Sequence, residues 1–246
     1  MRAKWATVVA LAVIGVTAAA LSGCSVMIGP TSGDGDMADG SFSYSGTITK
    51  IDISHMPATI NLTPDKRNAV TYSIDSNLKD SLDLSFVNGV LTITTKNNAV
   101  IASTHGITFN VGADALQEIA VSGAATINGS GTFTANSFTM TIDGAGTANL
   151  ALAAKTASVT VSGAASLTLS GTADQATITL TGASTVKARN LSVQKASISV
   201  SGAGSVQITA TQTLAASVAG VGSVTYWGNP ELTKSTAGLS SVKPGS

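Results

Sequence analysis

The chain has 246 residues, no formal net charge, 11% charged and 4% aromatic side chains, and one cysteine. Charged residues are fewer than half the roughly 25% of an ordinary soluble domain, yet no run of about 20 apolar residues follows the N-terminal stretch, which excludes a polytopic helical membrane protein. The 43% hydrophobic content excludes disorder, the balanced charge argues against a nucleic-acid partner, and a lone cysteine excludes a disulfide framework or a multi-cysteine metal site.

The N-terminus reads as an address. Arg2 and Lys4 precede an uncharged Ala/Val/Leu-rich stretch, Ala6 to Leu21, that ends in the small residues Ser22 and Gly23. This is the layout of a secretory signal peptide. Leu21-Ser22-Gly23-Cys24 resembles the lipobox of bacterial lipoproteins. That resemblance implies cleavage after residue 23 and a diacylglyceryl group on Cys24. Two or more acyl chains give a stable anchor, at about 0.8 kcal/mol per buried CH₂. Cleavage leaves 11 basic against 13 acidic residues, so the lipid, not charge, would hold the protein to a membrane. Residues 24–40 follow, dominated by Gly, Pro, Ser and Asp without apolar period, and read as a flexible linker. Residues 25–40 would span about 22 Å as a coil and about 50 Å pulled straight. Asp34-Gly35-Asp36 lacks the further oxygen ligands of a calcium loop, so no metal is expected there.

Residues 41–117 alternate in short runs: Phe42 to Tyr44, Ile48 to Ile53, Thr59 to Leu62, Val70 to Ile74, Leu82 to Phe86, Val90 to Ile93 and Ile107 to Val111. Period two means strand, and Asn88-Gly89 marks a tight turn. This part is expected to form the irregular first coils and cap of the repeats that follow.

From residue 118 to 244 a small motif recurs. It reads SGAAT at Ser122, DGAGT at Asp143, SGAAS at Ser162, TGAST at Thr181, SGAGS at Ser201, AGVGS at Ala219 and AGLSS at Ala237, with steps of 21, 19, 19, 20, 18 and 18 residues between glycines. Apolar residues alternate before each glycine (Ile119/Val121, Met140/Ile142, Val159/Val161, Ile178/Leu180, Ile198/Val200, Ala216/Val218) and again after it (Leu167/Leu169, Val206/Ile208). Each repeat is therefore strand, glycine turn, strand, looser turn. Such units bury their apolar faces only by stacking. The expected fold is all-β: a parallel β-helix, a solenoid of about 19-residue coils, right-handed as parallel crossovers are. Tyr226 and Trp227 are expected to cover its last coil.

Asn77-Leu78, Gly89 to Ile93, Ile107 to Val111, the SGAAT, DGAGT and SGAGS turns and Tyr226 to Pro230 together resemble the bacterial auto-transporter adhesin head family, the GIN domain, over residues 41–230. The resemblance implies a β-helical, exported, surface-associated domain. The domain is expected to run over residues 41–244.

The competing expectation is a polysaccharide-active β-helix enzyme. Such enzymes generally use two carboxylates across the scissile bond. In the repeats the acids are Glu118, Asp143, Asp174 and Glu231, in different columns of different coils. Lys155, Lys187, Arg189 and Lys195 fall in loops, His55 and His105 in the irregular part. Ser122, Ser162 and Ser201 are turn serines, not nucleophile elbows. A non-enzymatic protein without cofactor is therefore expected. The residues between the apolar positions form a nearly uncharged hydroxyl array: Thr139, Thr141, Ser158, Thr160, Thr177, Thr179, Ser197 and Ser199. Thr suits strands for its own sake. As a functional face, the array would bind a glycan or an envelope protein. The whole reads as an adhesin or envelope-interaction module, lipid-anchored in the outer membrane or at the cell surface.

Overall fold

The structure is a computed structural model that describes residues 30–246. The expected signal peptide and Cys24 lie outside the described residues. What is described is all-β. Its helical pieces are two 3₁₀ segments, Ser76–Ser81 and Lys96–Asn98.

The repeats lie one upon another in parallel register. Gln175–Gly182 pairs residue for residue with Lys195–Gly202, from Thr177↔Ser197 to Gly182↔Gly202. That run pairs with residues 213–220, and those with Glu231–Gly238. Beyond the glycine a second ladder joins Ser166–Thr168 to residues 185–187, then 205–207, 223–225 and 241–243. The period-two pattern dictates both ladders. Ile178, Leu180, Ile198, Val200, Val206 and Ile208 are buried, while the residues between them are open or half-open to solvent. Rung upon rung, the inward residues make one continuous core from Ile48 to Val242.

Each repeat holds one more strand than the sequence pattern suggested. Pairing continues through the looser turn, with Ser170↔Asn190 to Ala173↔Val193 after a register shift at Thr168. Leu191 and Val193 are buried there, so a third short run adds to the core. Its alternation is too brief to stand out in the sequence.

The corner glycines stack as a column. Gly163 has φ +131°, and a Cβ on it would collide with the carbonyl oxygen of Gly144 below. Only a residue without Cβ tolerates both the dihedral and the close approach. At the neighbouring corner, Ser184 Oγ donates to Gly163 O (3.0 Å) and accepts from Ala165 N (3.2 Å), stitching two turns together.

Residues 41–117 only partly follow the expected coil pattern. Lys50–Ser54 and Ala58–Thr63 are true rungs, parallel to residues 118–122 and 125–129. Val90–Thr95 and Thr108–Gly112 extend these ladders by one strand each. The remaining strands join antiparallel: Leu82–Val87 through the Asn88-Gly89 hairpin, and Ala69–Asp75 beside Thr108–Gly112. Antiparallel partners end the stack by changing its pairing mode, which covers the first edge.

Two expectations are corrected. Residues 31–40 are not free linker: Thr31–Ser32 pairs with Ile101–Ala102, and Met37–Ser43 pairs antiparallel with Ala69–Asp75. Tyr226 and Trp227 do not cover the last rung either, because Glu231–Gly238 and Ser241–Pro244 form a further one. Trp227 lies instead on the flank, 4.5 Å from the Arg189 guanidinium, with Gly245 pressed against its ring.

Candidate functional site

The eight hydroxyl residues do share one face. Thr139, Thr141, Ser158, Thr160 and Thr179 are half-buried, and Thr177, Ser197 and Ser199 are exposed, each flanked by buried apolar neighbours. Thr179↔Ser199↔Ser217 and Thr177↔Ser197↔Ala215 fix two outward columns. Strands in such a ladder lie about 4.8 Å apart, which sets the hydroxyl repeat. Among the described residues, none of the eight hydroxyls has a side-chain hydrogen-bond partner, so their donors and acceptors face outward. Lys50 and Glu118 pair at 2.7 Å where this face begins, and this hydrogen bond raises the lysine pKa.

The neighbouring face differs. Asn128 Nδ2 donates to Asn61 Oδ1 (3.3 Å), Asn61 Nδ2 to Asn110 Oδ1 (3.0 Å), and Asn110 Nδ2 to Thr71 Oγ1 (3.3 Å). This amide ladder spends its polar groups on itself. Thr147 and Thr126 likewise pair at 3.3 Å. The face therefore supports the stack more than it offers contacts.

Between the two faces runs a shallow, open groove of about 620 Å³ along the glycine corners. Ala124, Ala145, Ala164 and Ala183 line it, together with Thr126, Thr147 and Ser166. In the sequence the small turn residues read as corners that leave shallow grooves. Their recurrence one position after each glycine was the signal for a continuous furrow.

A second groove, of about 520 Å³, runs along another corner and brings together Asp114, Asn136, Lys155 and Asp174. Asp174 Oδ1 accepts from Gln194 Nε2 at 3.1 Å, and Gln212 continues the row at 3.2 Å. Asp114 and Asp174 line the same groove three rungs apart, on the order of 14 Å at the inter-strand spacing. A glycosidase pair stands about 5–9.5 Å apart. His55 is exposed, with Nδ1 3.3 Å from Thr94 Oγ1, and His105 is exposed at the loop before Ile107. Ser122, Ser162 and Ser201 sit exposed beside their corner glycines.

The most unusual polar side chain is Asp75, which is 0% exposed. Its carboxylate accepts from Gly35 N (2.9 Å), Thr104 N (3.1 Å), Thr104 Oγ1 (2.7 Å) and Ser103 Oγ. The hydroxyls of Ser103 and then Thr104 hold its pKa far below the usual carboxylate range. Sequence reasoning missed this group because Asp75 ends a strand like any surface acid.

The chain is all-β, its repeats stack in parallel, and they present ordered columns of small polar side chains. The chain belongs to the family described as "Putative auto-transporter adhesin, head GIN domain", whose pattern matches residues 48–230. The fold is similar to that of a putative adhesin from Bacteroides fragilis NCTC 9343, with TM-score 0.79, 20% identity, and 87% of this chain and 99% of that one covered. It is also similar to a putative lipid binding protein from Parabacteroides distasonis ATCC 8503, with TM-score 0.69, 21% identity, and 88% and 100% covered. A putative adhesin from the same organism aligns with TM-score 0.64, 20% identity, and 87% and 99% covered. No curated protein matches the chain.

Proposed function

We propose that the protein is a lipid-anchored, exported adhesin or envelope-interaction module without enzymatic activity. In this reading the stack is a right-handed parallel β-helix, and Cys24 carries the lipid. Its working surface is the hydroxyl face from Thr139 to Ser199, with the adjoining corner groove, and its partner is an elongated glycan or envelope protein. The observation that carries the reading is the contrast between two faces of one stack. The amides of Asn61, Asn110 and Asn128 are linked to one another, while the hydroxyl columns next door keep their hydrogen-bonding capacity for a partner. A row of alanines lines the groove beside them, and such small side chains let a chain lie close to the backbone. Family membership supports a surface role.

The test is a binding screen of residues 30–246 against glycans and envelope proteins, followed by a series of ligand lengths. Affinity should climb with each added unit over several rungs, because each rung adds a few weak contacts. A single unit that binds as tightly as a long chain contradicts the reading. So does shortening of a glycan during incubation, which would point to the polysaccharide-active enzyme.

A further inference from the structure

From Thr31 onward the stretch that reads as linker is fastened down. Thr31 N donates to Val100 O (2.9 Å) and Gly33 N to Ala102 O (2.8 Å). Asn77 Nδ2 donates to Ser32 O (2.9 Å), and Asp34 N donates to Asn77 Oδ1 (3.1 Å). Ser76 Oγ donates to Asp34 Oδ2 at 2.6 Å, and Ser76 N to Asp36 O at 2.7 Å. Lys79 Nζ reaches Asp39 O at 3.0 Å. At the centre lies the buried Asp75, which binds Gly35 N on the tether side and Ser103 and Thr104 on the domain side. Gly33 packs so closely that a Cβ on it would strike the Asp75 carboxylate. Gly33 and Gly35 thus have jobs other than flexibility, and Asp34 and Asp75 are latches.

The place of this segment matters. Met37–Ser43 is the outermost strand at one end of the sheet order, and Ser241–Pro244 is the outermost at the other. About ten inter-strand steps separate them, on the order of 48 Å. Only five residues, 25–29, lie between Cys24 and Pro30, so the two are at most about 20 Å apart.

We propose that residues 31–43 are a docked tether that seats the domain on a phospholipid surface by its first-strand end. The contact is the loop from Lys96 to Gly106, where Val100 is 65% exposed, and the end at Ser241–Pro244 points away from the bilayer. The proposal rests on the lipid-anchor reading at Cys24. A free 16-residue linker would let the rod lie in any orientation. The tether removes most of that freedom, so the hydroxyl columns are presented in sequence along the membrane normal.

The experiment uses the full lipidated chain in vesicles of phosphatidylethanolamine and phosphatidylglycerol that carry an acceptor dye on the headgroups. A donor is placed through Val87→Cys at the first-strand end or Leu239→Cys at the far end, where these side chains are 62% and 84% exposed. With Cys24 acylated, each variant has one free thiol. Flotation with the vesicles is measured on the same samples. Energy transfer should be severalfold stronger from position 87 than from position 239. Asp75→Ala should shrink that gap. Because Asp75 is buried, Gly33→Ala serves as the second variant, acting from the tether side, with circular dichroism to show that the fold persists. Equal transfer from the two positions in floating protein overturns the orientation alone. A gap untouched by both folded variants overturns the latch. Failure of the parent chain to float overturns the anchor and takes the orientation with it.

Discussion

At Gly163 two demands meet, a φ of +131° and a neighbouring carbonyl where a side chain would begin. Gly163→Ala is expected to cost about 1–3 kcal/mol or more, since the strained backbone alone carries a penalty of that order. Ala164→Ser, one position on and exposed, should be within about 0.5 kcal/mol of the parent. Urea unfolding of both variants checks the pair, and equal losses would contradict the stacked corner. The same logic separates the neighbours Thr179 and Leu180. Leu180 is fully buried between rungs and Thr179 looks outward. Leu180→Asp places an unpaired carboxylate in the core, a cost of several kcal/mol, whereas Thr179→Asp should shift the midpoint little. These facings were legible in the sequence, because strict alternation around each glycine leaves one assignment of inside and outside. Asp75 was not legible, because its burial depends on Ser103, Thr104 and Gly35, which come from distant stretches of chain.

Among the elements, strands with several alternating residues were found where expected, such as Ala58–Thr63, Leu82–Val87 and Val90–Thr95. The third run of each rung escaped notice because its alternation is too brief, and the tether strand, apart from its end at Phe42 and Ser43, because of its composition. Met37–Ser43 reads MADGSFS, with Gly and Asp where a strand pattern wants apolar residues. It is held by its partner Ala69–Asp75 and by the latch, with Phe42 as its one large side chain packed against the core. The latch also has a pH signature. A carboxylate whose folded pKa is depressed gives stability that is complete above the unfolded pKa, about 3.9. That stability is lost as pH falls through that region toward the folded value. Hydrogen exchange of amides 33–43 should therefore stay slow from pH 7 to about 5, after correction for intrinsic rates, and accelerate below about 4. Release of the tether between pH 7 and 5 would show that Asp75 does not govern it.

For the whole molecule, the sequence disclosed a repeat and an uncharged outward face, but not which outward face has spare hydrogen-bonding capacity. That distinction arises from contacts between rungs, as in the Asn61, Asn110 and Asn128 ladder, which no single repeat contains. The scarcity of charge on the hydroxyl face has a consequence for association. Coulombic contacts between exposed groups are screened within about 8 Å at physiological ionic strength, whereas neutral hydroxyl contacts are not. Affinity for the partner should change by less than about twofold between 50 and 500 mM salt, unlike phosphate-dominated binding, which falls by orders of magnitude. The most direct measurement replaces Thr141, Thr160 and Thr179 together by Lys and compares affinity for the partner identified in the screen with that of the parent. The three occupy adjacent rungs of one outward column, so three like charges at about 4.8 Å spacing disrupt a flat contact while the core is untouched. The account predicts a loss of affinity of tenfold or more with the circular dichroism spectrum retained. Unchanged affinity in the folded variant would contradict it and move the binding surface off this face.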